Sequence, residues 1–167
     1  VTLDMDGDGW EDLYVRTGYI AAYWFILNPW EQSDLVYLFD EDGQATNGSF
    51  LFSDPGEEVG RGAVVADFDG DGARDVLAGS TDDDPLRLFR ASVPSPGLRL
   101  QLQASVSAPG ALGARATLTC PGVVRVEEHH TSGGFGSSSL AGELWVGVPP
   151  ACEDAWTLSL RWPSGHV

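Results

Sequence analysis

The stretch Asp67-Phe68-Asp69-Gly70-Asp71-Gly72-Ala73-Arg74-Asp75 decides the fold that we expect of this chain. Its four carboxylates lie within nine residues, and such crowding is unfavourable unless a cation sits among them. Calcium fits best, because it takes about six to eight oxygen ligands at flexible angles, whereas magnesium tends to keep its waters. The stretch therefore predicts a calcium-binding loop.

Each position of this loop has a predicted role. Asp67, Asp69 and Asp71 occupy positions one, three and five as carboxylate ligands, and Asp75 at position nine closes the ring. Gly72 at position six permits the sharp turn, and Ala73 at position seven offers its backbone carbonyl. The predicted calcium ligands of the loop are Asp67, Asp69, Asp71, Ala73 and Asp75.

The same pattern opens the chain as Asp4-Met5-Asp6-Gly7-Asp8-Gly9-Trp10-Glu11-Asp12. Its predicted ligands are Asp4, Asp6, Asp8, the Trp10 carbonyl and Asp12. An EF-hand would need a glutamate at position twelve, where Val15 and Ala78 stand. Short apolar runs flank both loops, so we expect strand–loop–strand units. A solvated acidic turn without metal is the alternative, and the repetition of the spacing argues against it.

Composition narrows the classes of partner. The chain has 167 residues, 43% of them hydrophobic, and a formal net charge of −16. This charge disfavours nucleic acids and anionic membranes as partners. Residues 19–30, YIAAYWFILNPW, are too few to span a bilayer, which takes about 20 residues. We interpret this run as buried core, with an exposed contact surface as the alternative.

Cys120 and Cys152 are the two cysteines. An even pair beside calcium loops suggests a disulfide formed outside the cytoplasm, while two buried free thiols are the alternative. Asn47-Gly48-Ser49 fits a glycosylation sequon, although most such matches occur by chance.

The rest of the chain has short strand-like patterns. Ser92–Gly97, which contains two prolines, is the predicted joint between an N-terminal and a C-terminal part. The loops repeat after 63 residues (67 − 4), a period that suits propeller blades. We therefore predict an all-β protein, with a partial β-propeller of about one and a half blades over residues 1–95. Residues 96–167 alternate with period two and predict a small antiparallel β-sandwich or barrel. Before the joint, strands are predicted at Leu13–Val15, Leu35–Phe39, Phe50–Phe52, Val64–Ala66, Val76–Ala78 and Leu86–Phe89.

Catalysis has weak support in the sequence, and we predict no enzymatic activity. His129-His130 follows Glu127-Glu128, but neighbours on a strand point to opposite faces and chelate one ion poorly, so a surface strand end is favoured. Ser137-Ser138-Ser139 lacks the context of a nucleophile elbow and is typical of a glycine-serine loop.

The repeated aspartate loops and several C-terminal motifs resemble those of a known family. Residues 1–90 are similar to the FG-GAP/VCBS repeats of integrin-like and bacterial surface propellers, and Arg61–Asp69 (RGAVVADFD) resembles the subgroup with a C-terminal ASPIC/UnbV domain, as in the cartilage acidic protein family. Two departures stand out: Ser138 replaces a common glutamine, and Leu144–Val148 replaces the usual HFGLG. The C-terminal motifs that carry the resemblance are Leu98–Leu102, Leu112–Ala116, Gly133–Ser139 and Leu158–Gly165.

The resemblance implies a secreted or cell-surface protein that uses Ca²⁺ for structure or adhesion. Its expected partners are proteins or glycans at the cell surface or in the matrix, without membrane insertion. Two alternatives remain open. An incomplete propeller has open sheet edges, so copies could assemble into an extracellular fibre by strand completion. Exposed aromatics such as Trp10, Trp24 or Trp30 could instead stack on sugars in a carbohydrate-binding module.

Overall fold

A computed structural model of the protein describes residues 1–18, 32–51, 57–81, 85–92, 94, 96–130, 143–152 and 155–165. Over these ranges the chain is all-β, as predicted, with short 3-10 helices at Ser49–Leu51, Pro109–Ala111 and Pro150–Cys152. The strands are β1 (Thr2–Leu3), β2 (Asp12–Val15), β3 (Leu35–Phe39), β4 (Ala45–Asn47), β5 (Gly60–Ala66), β6 (Asp75–Ser80), β7 (Arg87–Phe89), β8 (Gly97–Gln101), β9 (Arg115–Cys120), β10 (Val123–Glu128), β11 (Glu143–Gly147) and β12 (Thr157–Arg161).

The N-terminal strands form two antiparallel sheets, ordered β1-β2-β3-β4 and β5-β6-β7. Each aspartate loop joins the first two strands of its sheet, which confirms the predicted strand–loop–strand units. The two sheets also share their register, because Leu3 lies opposite Asp12 in one and Ala66 lies opposite Asp75 in the other. The 63-residue repeat therefore covers the strands as well as the loops.

The C-terminal strands form two further antiparallel sheets, ordered β10-β9-β12 and β11-β8. Alternation along β9 buries Ala116, Leu118 and Cys120 against side chains such as Val146 of β11. The period-two pattern predicted this packing. In the described part of the chain the sheets stay open and do not close into a barrel.

Two hydrophobic clusters underlie these sheets. The first gathers Leu3, Tyr14, Val36, Ala63 and Val76 from both repeats. The second, built around β9 and β11, includes a disulfide between Cys120 and Cys152 with a Cα–Cα distance of 5.4 Å. The structure thus decides between the disulfide and the two free thiols that the sequence left open.

A buried ionic network ties the first repeat to the second. The Arg16 guanidinium donates to Asp34 at 2.5 Å, to Glu58 at 2.6 Å and to the Gly79 carbonyl at 2.9 Å. The Tyr14 hydroxyl also donates to Asp34. Because a buried charge is costly when unpaired, this network fixes Arg16, the residue after β2, against β6 of the second sheet.

One predicted strand differs from the structure, and one apolar run lies outside the described residues. The predicted strand Phe50–Phe52 is wrong where the structure describes it, since Ser49–Leu51 forms a 3-10 helix and exposes Phe50. The apolar run at residues 19–30 lies outside the described residues, and so do Phe52, Trp24 and Trp30. Among the described residues, no helix is both long and apolar enough to cross a bilayer.

Candidate metal centre

Each loop brings three aspartates together. One carboxylate oxygen each from Asp4, Asp6 and Asp8 lies within 4.8 Å of the others, and the triad Asp67, Asp69 and Asp71 does the same. Oxygens that share a calcium ion at about 2.3–2.6 Å must lie within roughly 5 Å of one another. Both triads therefore have the donor chemistry and the spacing that calcium needs.

Side-chain-to-backbone hydrogen bonds hold the first loop in shape. Asp4 accepts from the Gly7 amide at 2.7 Å and from the Gly9 amide at 2.9 Å. Asp8 accepts from the Trp10 amide at 2.8 Å. These bonds fold the loop back on its first carboxylate.

The second loop repeats the arrangement. Asp67 accepts from the Gly70 amide at 2.7 Å and from the Gly72 amide at 3.2 Å, while Asp71 accepts from the Ala73 amide at 2.8 Å. Every one of these partners is the counterpart of a first-loop residue in the 63-residue repeat. The two loops therefore share these internal hydrogen bonds as well as their sequence spacing.

The aspartates at position nine are not members of the two triads and accept hydrogen bonds from backbone amides. Asp12 is fully buried and accepts from the Met5 amide at 2.7 Å and the Phe39 amide at 2.9 Å. Asp75 accepts in the same way from the Phe68 and Ala91 amides, at 3.1 and 2.9 Å. Asp12 therefore joins the start of its loop to the end of β3, and Asp75 joins the start of its loop to the residues just after β7. The predicted metal-ligand role of Asp12 and Asp75 stays a prediction.

Burial and mutual repulsion raise the pKa of carboxyl groups in the first loop. Burial raises the pKa of Asp12 to about 6, and the nearby Asp6 and Asp4 carboxylates add to the effect. Burial also raises the pKa of Asp4 and of Asp8. A cation among these groups would stabilise their charged forms.

The residues at position seven lie at the junction with the C-terminal strands. The Arg125 guanidinium lies 4.5 Å from the centroid of the Trp10 ring, so one face of this predicted sugar platform carries a cation. Ala73, its counterpart, is fully buried. Their carbonyl-ligand role also stays a prediction.

A reciprocal contact completes the junction. Arg74, next to Ala73 in the second loop, pairs with Glu11 of the first loop at 3.1 Å and lies 5.3 Å from the Trp145 ring centroid. Thus the N-terminal repeats place an arginine on a C-terminal tryptophan, and Arg125 does the reverse on Trp10. Cation–π contacts of this kind contribute about 0.5–2 kcal/mol each.

Backbone contact adds to this junction. Gly9 adopts φ +84°, and a Cβ built on it would lie 2.6 Å from the Pro149 Cα. Only glycine tolerates both the conformation and the close approach. The first loop is therefore packed directly against the residues that follow β11.

Sequence reasoning missed three features of the site. Gly7 and Gly70, at position four, adopt φ of +83° and +79°, and the recurrence of glycine there was the available signal. The opposite charges of Glu11 and Arg74 at one repeat position could have indicated the contact between the loops. The packing of Gly9 on Pro149 has no signal in the sequence.

The stretch Glu127–His130, the other possible metal site considered from the sequence, contributes no residue to the triads. His129 is 2% exposed, whereas His130 is exposed and its Nδ1 lies 2.8 Å from the Glu128 carbonyl. The two rings therefore have different surroundings, as expected for neighbours at the end of a strand, although His129 is buried rather than on the surface. Glu128 pairs with Arg115 at 2.7 Å. Ser137–Ser139 lies outside the described residues.

Comparison with known proteins addresses the N-terminal half. No curated protein matches the chain. Residues 4–78 match the model of the FG-GAP-like repeat, a range that begins at the first aspartate triad and ends in β6. Repeats of this type occur in adhesion and extracellular proteins. Residues 4–78 are therefore similar to an FG-GAP-like repeat, which supports the resemblance found for residues 1–90.

Proposed function

We propose that the protein is a calcium-binding, non-enzymatic structural or adhesion module of an extracellular or cell-surface protein. The observation that carries this proposal is the pair of aspartate triads, each with its carboxylate oxygens within 4.8 Å and each built by the same hydrogen bonds. The FG-GAP-like repeat over residues 4–78 supports the extracellular assignment.

Calcium would act here as a structural ion. Each loop connects two paired strands, and the like charges of its triad oppose the folded conformation. A divalent cation bound by Asp4, Asp6 and Asp8, or by Asp67, Asp69 and Asp71, would replace that repulsion with attraction. Because the unfolded chain has no such arrangement, calcium binding would favour the folded state.

The C-terminal part has a separate place in this proposal. We assign residues 96–167 to an ASPIC/UnbV-like β domain that follows the propeller-type repeats of residues 1–95. Support comes from its own hydrophobic cluster and disulfide. In this view the Arg–Trp contacts at the junction hold the domain against the calcium loops, and the module binds protein or glycan partners of the cell surface or matrix.

Calcium-dependent stability tests the proposal. Thermal unfolding of the full chain would be followed in calcium, in magnesium and in chelator. At a free calcium concentration one hundred times the dissociation constant, each site should add about 2.7 kcal/mol to the free energy of unfolding. Magnesium at the same concentration should add far less.

Variants of the two loops make the test specific. Asp6→Asn and Asp69→Asn should each remove about half of the calcium-dependent stabilisation, and the double variant should remove nearly all of it. Asp42→Asn, an exposed acid of the β3–β4 turn, is the control and should behave like the wild type. Equal stabilisation by magnesium, or full calcium stabilisation of the double variant, would contradict the proposal.

A further inference from the structure

A cleft lies between the turn that joins β3 to β4 and the strand β10. It is lined by Trp10, Glu11, Phe39–Gly43 and Val124–Glu127, and its volume is about 550 Å³. We refer to it as the acidic cleft. It is separate from the carboxylate triads, because none of its lining residues belongs to them.

Charge distinguishes this cleft. Five carboxylates line it, from Glu11, Asp40, Glu41, Asp42 and Glu127, against the single arginine Arg125. That arginine already lies on the Trp10 ring and 3.8 Å from Glu127. Glu11 also pairs at 3.1 Å with Arg74, which lies outside the lining. Two arginines thus stand against five carboxylates, and the cleft keeps an excess of negative charge.

Apolar surface lies beside these acids. Among the described strands, β10 lies at the edge of its sheet, and its Val124 and Val126 are 65% and 49% exposed. Two valines two residues apart on a strand present a row of apolar groups spaced about 7 Å apart. This spacing matches alternate side chains of an extended peptide, because they too repeat after about 7 Å.

The burial of Glu127 is a second indication that the cleft favours a cationic ligand. Glu127 is half-buried, and burial together with the Glu11 carboxylate raises its pKa to about 7. A cationic group placed near both carboxylates would relieve their repulsion. The Arg125 contact shows that the Trp10 ring can accept a guanidinium on its face.

We propose that the acidic cleft binds an extended segment of a partner protein in which basic and apolar side chains alternate. The basic side chains lie against the carboxylates of Glu41, Asp42 and Glu127, while the apolar ones cover Val124 and Val126. A second copy of this chain fits less well, because each copy carries a net charge of −16 and like charges oppose association.

Titration calorimetry with short peptides tests this assignment. The probe is a blocked hexapeptide of alternating lysine and valine, and the comparison peptide has glutamate in place of lysine. Both are added to the full chain in saturating calcium. The lysine peptide should bind and the glutamate peptide should not. Failure of the lysine peptide to bind, while calcium still stabilises the chain, would overturn the cleft assignment and leave the proposed calcium function standing.

Matched charge reversals separate the cleft from the general acidity of the protein. Glu41→Arg lies in the cleft, whereas Glu57→Arg makes the same change at an exposed glutamate that does not line it. Glu41→Arg should weaken peptide binding about tenfold, and Glu57→Arg less than about twofold. Equal weakening by the two variants would show nonspecific attraction and overturn the proposal.

A second pair of variants tests the apolar contact. Val124→Thr combined with Val126→Thr keeps the shape of the side chains and should weaken binding about threefold or more. Val106→Thr, at a valine that is 82% exposed and lies outside the cleft, should leave binding unchanged. Self-association of the chain without peptide, abolished by Glu41→Arg, would assign the cleft to a second copy and contradict our proposal.

Discussion

Arginine side chains lie within reach of carboxylates of the second triad. In the second loop Asp69 forms an ion pair with Arg90, and Asp67 lies 3.7 Å from Arg99. Arg90 is 62% exposed, so solvent screens its pair with Asp69. Under the proposed function these arginines would compete only weakly with a calcium ion, but they would do so at the carboxylates proposed to bind it.

Removing Arg90 should therefore strengthen calcium binding at the second loop. In an Asp6→Asn background, where the second loop alone keeps its full triad, Arg90→Gln should raise calcium affinity about two- to fivefold. Arg161→Gln makes the same charge change at an exposed position on β12 and is the control. Calorimetry in which both variants change the affinity equally would attribute the effect to net charge instead.

The raised pKa of Glu127 predicts that the free energy of unfolding depends on pH. Burial, and then Glu11, raise its pKa from 4.5 to about 7, although Arg125, Arg74 and His130 act in the opposite direction. The folded protein thus holds this proton more tightly than the unfolded chain does. The stabilisation that results is complete below about pH 4.5 and is lost as the pH rises through 7.

Glu127→Gln should remove this dependence. Its free energy of unfolding, compared with that of the wild type, should gain about 1–2 kcal/mol between pH 4.5 and 8, after allowance for the side chain's 23% exposure. Urea unfolding at several pH values measures the difference, with Glu41→Gln as an exposed control. A difference that is constant with pH would contradict the raised pKa of Glu127.

At the scale of the element, the two loops have the same internal bonds but different surroundings. Gly9 and Gly72 occupy the same position, with φ of +84° and +90°. A Cβ on Gly9 would meet Pro149 at 2.6 Å, whereas nothing lies within 4 Å of one on Gly72. The chain therefore contains its own matched pair for measuring the contact between the first loop and the C-terminal part.

Gly9→Ala should be more destabilising than Gly72→Ala. Both variants pay about 1–2 kcal/mol for a left-handed alanine, and Gly9→Ala should add about 1–3 kcal/mol for the overlap with Pro149. Denaturant unfolding in chelator isolates this effect from calcium binding. If the two variants lose equal stability, the packing of the first loop against Pro149 is wrong.

Some of these structural elements could be predicted from the sequence and others could not. Strand–loop–strand units were predictable, because glycines and aspartates fix the turn locally and short apolar runs flank it. Phe50 was not predictable, since its apolar neighbours suggest a strand, whereas the backbone bond from the Leu51 amide to the Gly48 carbonyl closes a 3-10 turn. Likewise, the role of Asp12 depends on Phe39, which lies 27 residues away and reaches it only through strand pairing.

At the scale of the whole molecule, the C-terminal part depends on covalent as well as hydrophobic stabilisation. The disulfide joins Cys120 at the end of β9 to Cys152, across a sequence separation of 32 residues. Cys152 is fully buried in the second hydrophobic cluster. Closing a loop of this length restricts the unfolded chain and stabilises the fold.

Replacing both cysteines by serine should lower the free energy of unfolding by about 3–4 kcal/mol. Urea unfolding of the wild type and the variant gives this difference, and reduced wild type should resemble the variant. Calcium should still bind the variant, because neither cysteine lies in a triad. A loss below about 1 kcal/mol would show that the bridge contributes little to stability.

Long-range arrangement is what the sequence could not supply. The resemblance and the proline-containing joint divided the chain at residues 95 and 96, and nothing in that division shows which surfaces meet. The structure places Arg74 on Trp145 and Arg125 on Trp10, which puts both loops close to the C-terminal strands. Such contacts join residues 71 and 115 positions apart (145 − 74 and 125 − 10), so no local pattern encodes them.

Counting bound calcium ions tests the central claim most directly. Native mass spectrometry of the full chain in calcium should show two ions on the wild type, one on Asp6→Asn, one on Asp69→Asn and none on the double variant. Chelator should remove both ions from the wild type. A wild type that binds no calcium, or a double variant that still binds two ions, would contradict the assignment of the aspartate triads as calcium sites.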